Sequence, residues 1–126
     1  MEGYELAYNG PCCAVWVAKR ARKVGSKAPA DQRARMDRLM KHLANNGPEA
    51  FNPTQYKHEG RFPSGRPGGG VVAVFALKAY QLRFYGGFVN LGGKRCFVVE
   101  DGDIKKKDKA DQSLLVAVAK KLGSEK

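Results

Sequence analysis

The stretch VVAVFALKAYQLRFYGG, residues 71–87, decides how this chain is read. Its second half alternates at every other position, which puts Leu82 and Phe84 on one face of a strand and Gln81, Arg83 and Tyr85 on the other. Two more runs follow, FVNLGG at 88–93 and KRCFVVEDGD at 94–103. The glycine pairs at 86–87 and 92–93 read as short turns, so the runs predict an antiparallel meander.

Helical periodicity brackets the strands. Met36, Leu39, Met40 and Leu43 recur at helical spacing, with Pro29 and Asp31 suited to the first turn and Gly47 to the C-terminal cap. Arg35, Arg38, Lys41 and His42 fall on the opposite side, so this helix packs with one face and is basic on the other. Residues 108–122 carry Leu115, Val118, Ala119 and Leu122 at the same spacing, and Gly123 follows. Residues 12–18, CCAVWVA, suit either a strand or the first turns of a helix, and Trp16 reads as a core residue.

Between the first helix and the strands, residues 45–70 are dense in Pro and Gly. Residues 52–70 are expected to be a mobile basic loop whose Lys57, Arg61 and Arg66 could fold over a polyanion, while His58 reads as incidental. The sum is one α+β domain over residues 1–126: a small antiparallel sheet of three to four strands packed against N-terminal and C-terminal helices. One face of that sheet is covered. The open face shows Arg83 and Tyr85, with either Arg95 or its neighbours close by.

Charge narrows the partners. A net charge of +11 and a pI near 9.8 create a field that draws polyanions, nucleic acid first and membrane surfaces less well. The apolar run at 12–18 is too short to span a bilayer and follows Glu2 and Glu5 rather than a basic leader, so a cytoplasmic protein without a membrane is expected. Cys12, Cys13 and Cys96 fit neither a disulfide framework nor a spaced metal site.

The same residues exclude several chemistries. His42 and His58 are the only histidines and no HExxH or paired-carboxylate spacing occurs, so no metal is expected. GRPGGG lacks the lysine and the flanking strand and helix of a phosphate loop, and nothing announces a base for a Cys96 nucleophile, so no small-molecule cofactor is expected either. What remains is a set of cations and phenols: Tyr80, Arg83, Tyr85, Arg95 and the lysines of residues 105–109. Such groups can bind RNA, or can cleave it without metal by positioning the 2'-hydroxyl against its own phosphate and neutralising the developing charge. Arginine pairs two phosphate oxygens at once, and a lysine or tyrosine can move protons. The acidic residues Glu100, Asp101 and Asp103 leave a third reading, an internal ion-pair cluster with the lysines.

The motifs ADQRARMDRLMKHLANNG, AYQLRFYGG and KRCFVVEDGDIKKKDKADQSLLVAVAKKL, spread over residues 30–122, together resemble the RelE/HigB superfamily of type II toxins, especially its phage-derived branch. The likeness runs through Leu43-Ala44-Asn45-Asn46-Gly47, Tyr80-Gln81-Leu82-Arg83, Lys94-Arg95 and the lysine stretch. The resemblance implies a RelE-like endoribonuclease that cuts messenger RNA on the ribosome and is restrained by a cognate antitoxin protein. It implies that Arg83 and Arg95 face the scissile phosphate and that the lysine stretch contacts RNA; the residues themselves add Lys106 and Tyr85 as candidate catalytic companions. Lys105, Lys107, Lys109, Arg61 and Arg66 would contact RNA. The alternative on the same fold is a basic nucleic-acid-binding or phage accessory protein without catalysis.

Overall fold

The computed structural model describes residues 2–105 and 111–124. In chain order the elements are β1 (Tyr4–Asn9), β2 (Ala14–Ala18), α1 (Lys19–Ser26), α2 (Ala30–Asn46), a 3-10 turn (Pro48–Ala50), β3 (Tyr56–Pro63), β4 (Val71–Ala79), β5 (Leu82–Leu91), β6 (Lys94–Ile104) and α3 (Gln112–Ser124). The strands form one sheet in the order β1-β2-β6-β5-β4-β3. Every neighbouring pair is antiparallel except β2 and β6, which run parallel.

This corrects the expected small antiparallel sheet of three to four strands: the sheet is mixed and has six. Three strands escape the sequence reading for separate reasons. β1 is a short alternating edge whose pairing shifts between Leu6 and Tyr8. β2 is the ambiguous apolar run, and burial on both faces of a parallel pair removes its alternation. β3 lies inside the expected mobile loop of residues 52–70. A bulge between His58 and Gly60 breaks its two-residue period, yet it pairs with β4 from Tyr56–Leu77 to Pro63–Val71. Pro63 fits there because β3 is the outermost strand. Only residues 64–70 connect, held by the Ser64 N–H donating to the Gly70 carbonyl at 3.0 Å.

The turn at 92–93 is where the sequence puts it, with Gly92 and Gly93 both at positive φ. The pair at 86–87 is not a turn. Both glycines lie inside β5, and the hairpin reverses instead at Tyr80, whose φ is +59°, and Gln81. Gly86 serves close approach: a Cβ there would stand 2.1 Å from the Val98 carbonyl oxygen, where Glu100 is the extra residue of a bulge. Gly86→Ala is therefore expected to destabilise the fold by about 2–4 kcal/mol, read as a lowered midpoint of denaturant unfolding.

β5 alternates as its sequence reads, Leu82 and Phe84 to one side, Arg83 and Tyr85 to the other. On the first side α1 and α2 pack Ala21, Met36, Leu39 and Leu43 against Val15, Val17, Leu77, Phe84 and Phe97. On the second, α3 packs Leu115, Val118, Ala119 and Leu122 against Ala14, Val74, Ala76, Tyr85 and Val98. Each fully buried side chain of this size contributes about 1.5–3 kcal/mol. The expected open face is thus corrected: α3 covers it, and Tyr85 is wholly buried. Helix α2 is pinned at both ends, by the Gln32 side chain accepting the Leu82 N–H at 3.2 Å and by the Ala44 carbonyl accepting the Cys12 and Cys13 N–H groups. Among the described residues no helix is long and apolar enough to cross a membrane.

Candidate nucleic-acid interface

The basic edge of α2 meets a row of rings. His42 contacts Phe51 at 5.0 Å between centroids, Phe51 stacks on Tyr56 at 5.8 Å, and Tyr56 stacks on Phe75 at 5.1 Å. Phe75 continues to Phe88 at 6.3 Å, and His58 leans on Phe75 at 5.0 Å. These rings share one face because Tyr56 pairs with Leu77, His58 with Phe75 and Phe88 with Phe97, all on the α2 side. Phe51, Tyr56, Phe75 and Phe88 are half-buried, while His58 is exposed.

Arg95 closes the row. Its guanidinium carbon lies 4.1 Å from the Phe88 ring centroid, and the residue is exposed, so one face of the guanidinium rests on the ring and the other meets solvent. Arg61, opposite Ala73, is exposed on the same side of the sheet. Between α2 and β3 a cavity of about 390 Å³ is lined by Arg35, Arg38, His42 and Phe51. At the hairpin tip the exposed Tyr80 ring lies 5.0 Å under the Arg35 guanidinium. A continuous row of rings therefore runs from His42 to Phe88, with Arg95 at its end and Arg61 on the same side of the sheet. That arrangement can stack bases and hold the phosphates between them.

Arg83 and Arg95 do not meet. Arg83 is 8% exposed and sits with Tyr85 on the α3 side; Arg95 is on the α2 side of the same sheet. Lys105 has its Nζ 3.7 Å from Asp103 Oδ2. Lys106, Lys107 and Lys109 lie outside the described residues. Arg66 is exposed in the connection after β3 and lines a cavity that Phe75 and Phe88 of the row also line. The acidic residues of β6 take the ion-pair role: Asp101 faces Arg20 at 3.6 Å, and the wholly buried Glu100 accepts a hydrogen bond from the Tyr4 hydroxyl. Among the described residues no group of three or more His, Cys, Asp or Glu side chains is placed to hold a metal ion.

The wholly buried Tyr85 and the half-buried Tyr56 respond to their surroundings in the same sense. Burial pushes the Tyr85 hydroxyl well above the ordinary phenol value; Asp103 and Glu59 add to this and Arg83 opposes it. Burial also raises Tyr56, and Arg95 partly offsets the rise. A raised phenol contributes its full stabilisation below its unfolded value of 10.0 and loses it as pH rises through the folded value. Ultraviolet titration is therefore expected to show two of the five tyrosines ionising only as the circular dichroism of the fold is lost.

The rings are what the sequence reading missed. Tyr56 and His58 were hidden by the bulge that follows them, and Phe75 and Phe88 by reading β5 as ending at its glycines. Two-residue counting through those glycines would have put Phe84 and Phe88 on one face. Known protein families, curated proteins and solved structures hold no match to this chain. The likeness to RelE/HigB toxins rests on the motifs alone.

Proposed function

We propose that this protein binds single-stranded RNA across the α2 side of its sheet, as a binding module and not as a nuclease. The observation that carries this reading is Arg95 stacked on Phe88 at the end of a row of half-buried rings. The chain's net charge of +11 supplies the long-range attraction, and the exposed Arg38, Arg61, Arg66 and Arg95 either share a cavity with the rings, stack on one, or stand on their side of the sheet. The motif likeness to RelE/HigB proteins favours RNA over DNA. Metal-independent cleavage by paired arginines would need Arg83 and Arg95 on one phosphate, and the sheet lies between them. Without that pair, restraint by a cognate antitoxin and action on the ribosome have no geometric support.

The test is fluorescence anisotropy with a labelled twelve-nucleotide uridine RNA over a series of salt concentrations. If about four cations each neutralise a phosphate, log K falls against log salt with a slope of about −3. The RNA is recovered uncut. Absence of binding at low salt, or a flat salt profile, would overturn the proposal. Cleavage of the RNA, or growth arrest on induced expression, would restore the nuclease reading.

A further inference from the structure

The cavity between α2 and β3 is enclosed by one face of the helix and the chain that follows it. Arg35, Arg38, Leu39 and His42 recur at spacings of three and four along α2, and Phe51 and Gln55 stand across from them. At about 390 Å³ it is near the lower end of the range for small-ligand sites, roughly 300–1,000 Å³, so it suits one nucleotide and not a run of them.

The polar side chains of this lining present donors. Arg35 and Arg38 have no acceptor atom. The Gln55 Oε1 accepts the Asn52 N–H at 3.3 Å, which leaves the Nε2 hydrogens as its unused donors. The Asn46 amide donates to His42 Nδ1 at 3.1 Å, so the neutral ring carries its hydrogen on Nε2. Among the described residues no carboxylate lines the cavity, and no ion pair engages either arginine. Arg35 lies with its plane over the Tyr80 ring at 5.0 Å, while Arg38 is exposed and can turn its fork to a ligand.

A lining of donors sorts the four bases by their edges. Guanine shows two adjacent acceptors, O6 and N7, matched to one guanidinium fork. Adenine replaces O6 with an amino donor, cytosine carries an amino donor at N4, and uracil offers only the O4 carbonyl on that edge. An amino group brought against donors loses its water and gains no partner. Leu39 and Phe51 give the base plane an apolar wall.

We propose that this cavity is a guanine-selective subsite of the RNA-binding surface, in which Arg38 pairs its fork with O6 and N7 and Gln55 supplies a further donor. The inference rests on the RNA reading and adds base selectivity to it. Arg38 then has two uses. On a uridine strand it neutralises a phosphate along with the other exposed arginines, and with a guanosine in the cavity it turns to the base edge. A strand containing guanosine therefore binds more tightly yet responds less steeply to salt.

The test compares the twelve-nucleotide uridine RNA with strands carrying one central guanosine, adenosine, cytidine or 7-deazaguanosine, by anisotropy over the same salt series. The guanosine strand is expected to bind about 5- to 140-fold more tightly than the other three unmodified strands at low salt. Its slope of log K against log salt should be about −2, where uridine gives about −3. The 7-deazaguanosine strand, which lacks the N7 acceptor, should lose most of the gain, and Arg38→Ala should bring the guanosine-to-uridine ratio to about 1. Equal affinities for all strands would overturn the subsite and leave RNA binding standing, whereas absence of binding to any strand would overturn both. A guanosine preference that survives Arg38→Ala or the 7-deaza change, or that keeps the uridine salt slope, would equally overturn the subsite.

Discussion

Arg95→Ala is expected to lower affinity for single-stranded RNA by about 5- to 140-fold while leaving the stability of the fold within about 0.5 kcal/mol. The magnitude follows from the stack. A base held on a planar cation or ring is worth about 1–3 kcal/mol, and each 1.4 kcal/mol is a factor of ten. Arg95 is exposed and rests on Phe88 through one face only, so its removal uncovers little core. Arg95→Lys separates charge from stacking: lysine keeps the phosphate attraction but has no plane, so most of the loss should persist. Anisotropy titrations of the three proteins at one low salt concentration measure this. Equal affinities would remove the basis of the binding proposal.

Arg83→Ala is expected to give the opposite signature: a loss of about 3–5 kcal/mol in unfolding free energy, with RNA affinity of the folded protein unchanged. Arg83 is 8% exposed under α3, close enough to the buried Tyr85 hydroxyl to oppose the upward pull of Asp103 and Glu59 on it. The Glu59 side chain is itself only 6% exposed. Deleting the cation leaves carboxylate charge in a poorly hydrated place, and that imbalance sets the size of the effect. Denaturant unfolding and the same anisotropy assay read the two halves of the expectation. A stable Arg83→Ala protein with impaired RNA binding would mean that the α3 side, not the α2 side, meets the nucleic acid.

The contrast between these two arginines was within reach of the sequence. The Gly92–Gly93 turn sets Arg95 opposite Asn90, and residues 83 and 90 differ by seven, an odd number, so they point to opposite faces of one strand. Reading Gly86–Gly87 as a turn hid that count. Stripes on α2 and α3 were legible because a helix buried on one side must repeat its apolar residues at helical spacing, and Met36, Leu43, Leu115 and Leu122 do so. β3 and its rings were not, because a bulge changes parity in mid-strand and its glycine and proline imitate a loop. The parallel pairing of β2 with β6 left no local trace at all, since it joins residues 14–17 to residues 96–99 across most of the domain.

That last pairing governs the order in which the protein can assemble on a ribosome. Strand β6 stands between β2 and β5, so until residues 94–104 have emerged, the β1–β2 pair and the β3–β4–β5 unit share no strand pairing and meet through the packing of α2 on β4 and β5. Each part then shows a bare edge until β6 is made: β2 for several seconds and β5 for about one to three, at roughly 5–20 residues per second. Sheet closure is consequently a late event, slow for a chain of this length because its decisive contact spans so many residues. The nascent chain is most vulnerable to wrong partners just before its central strand appears.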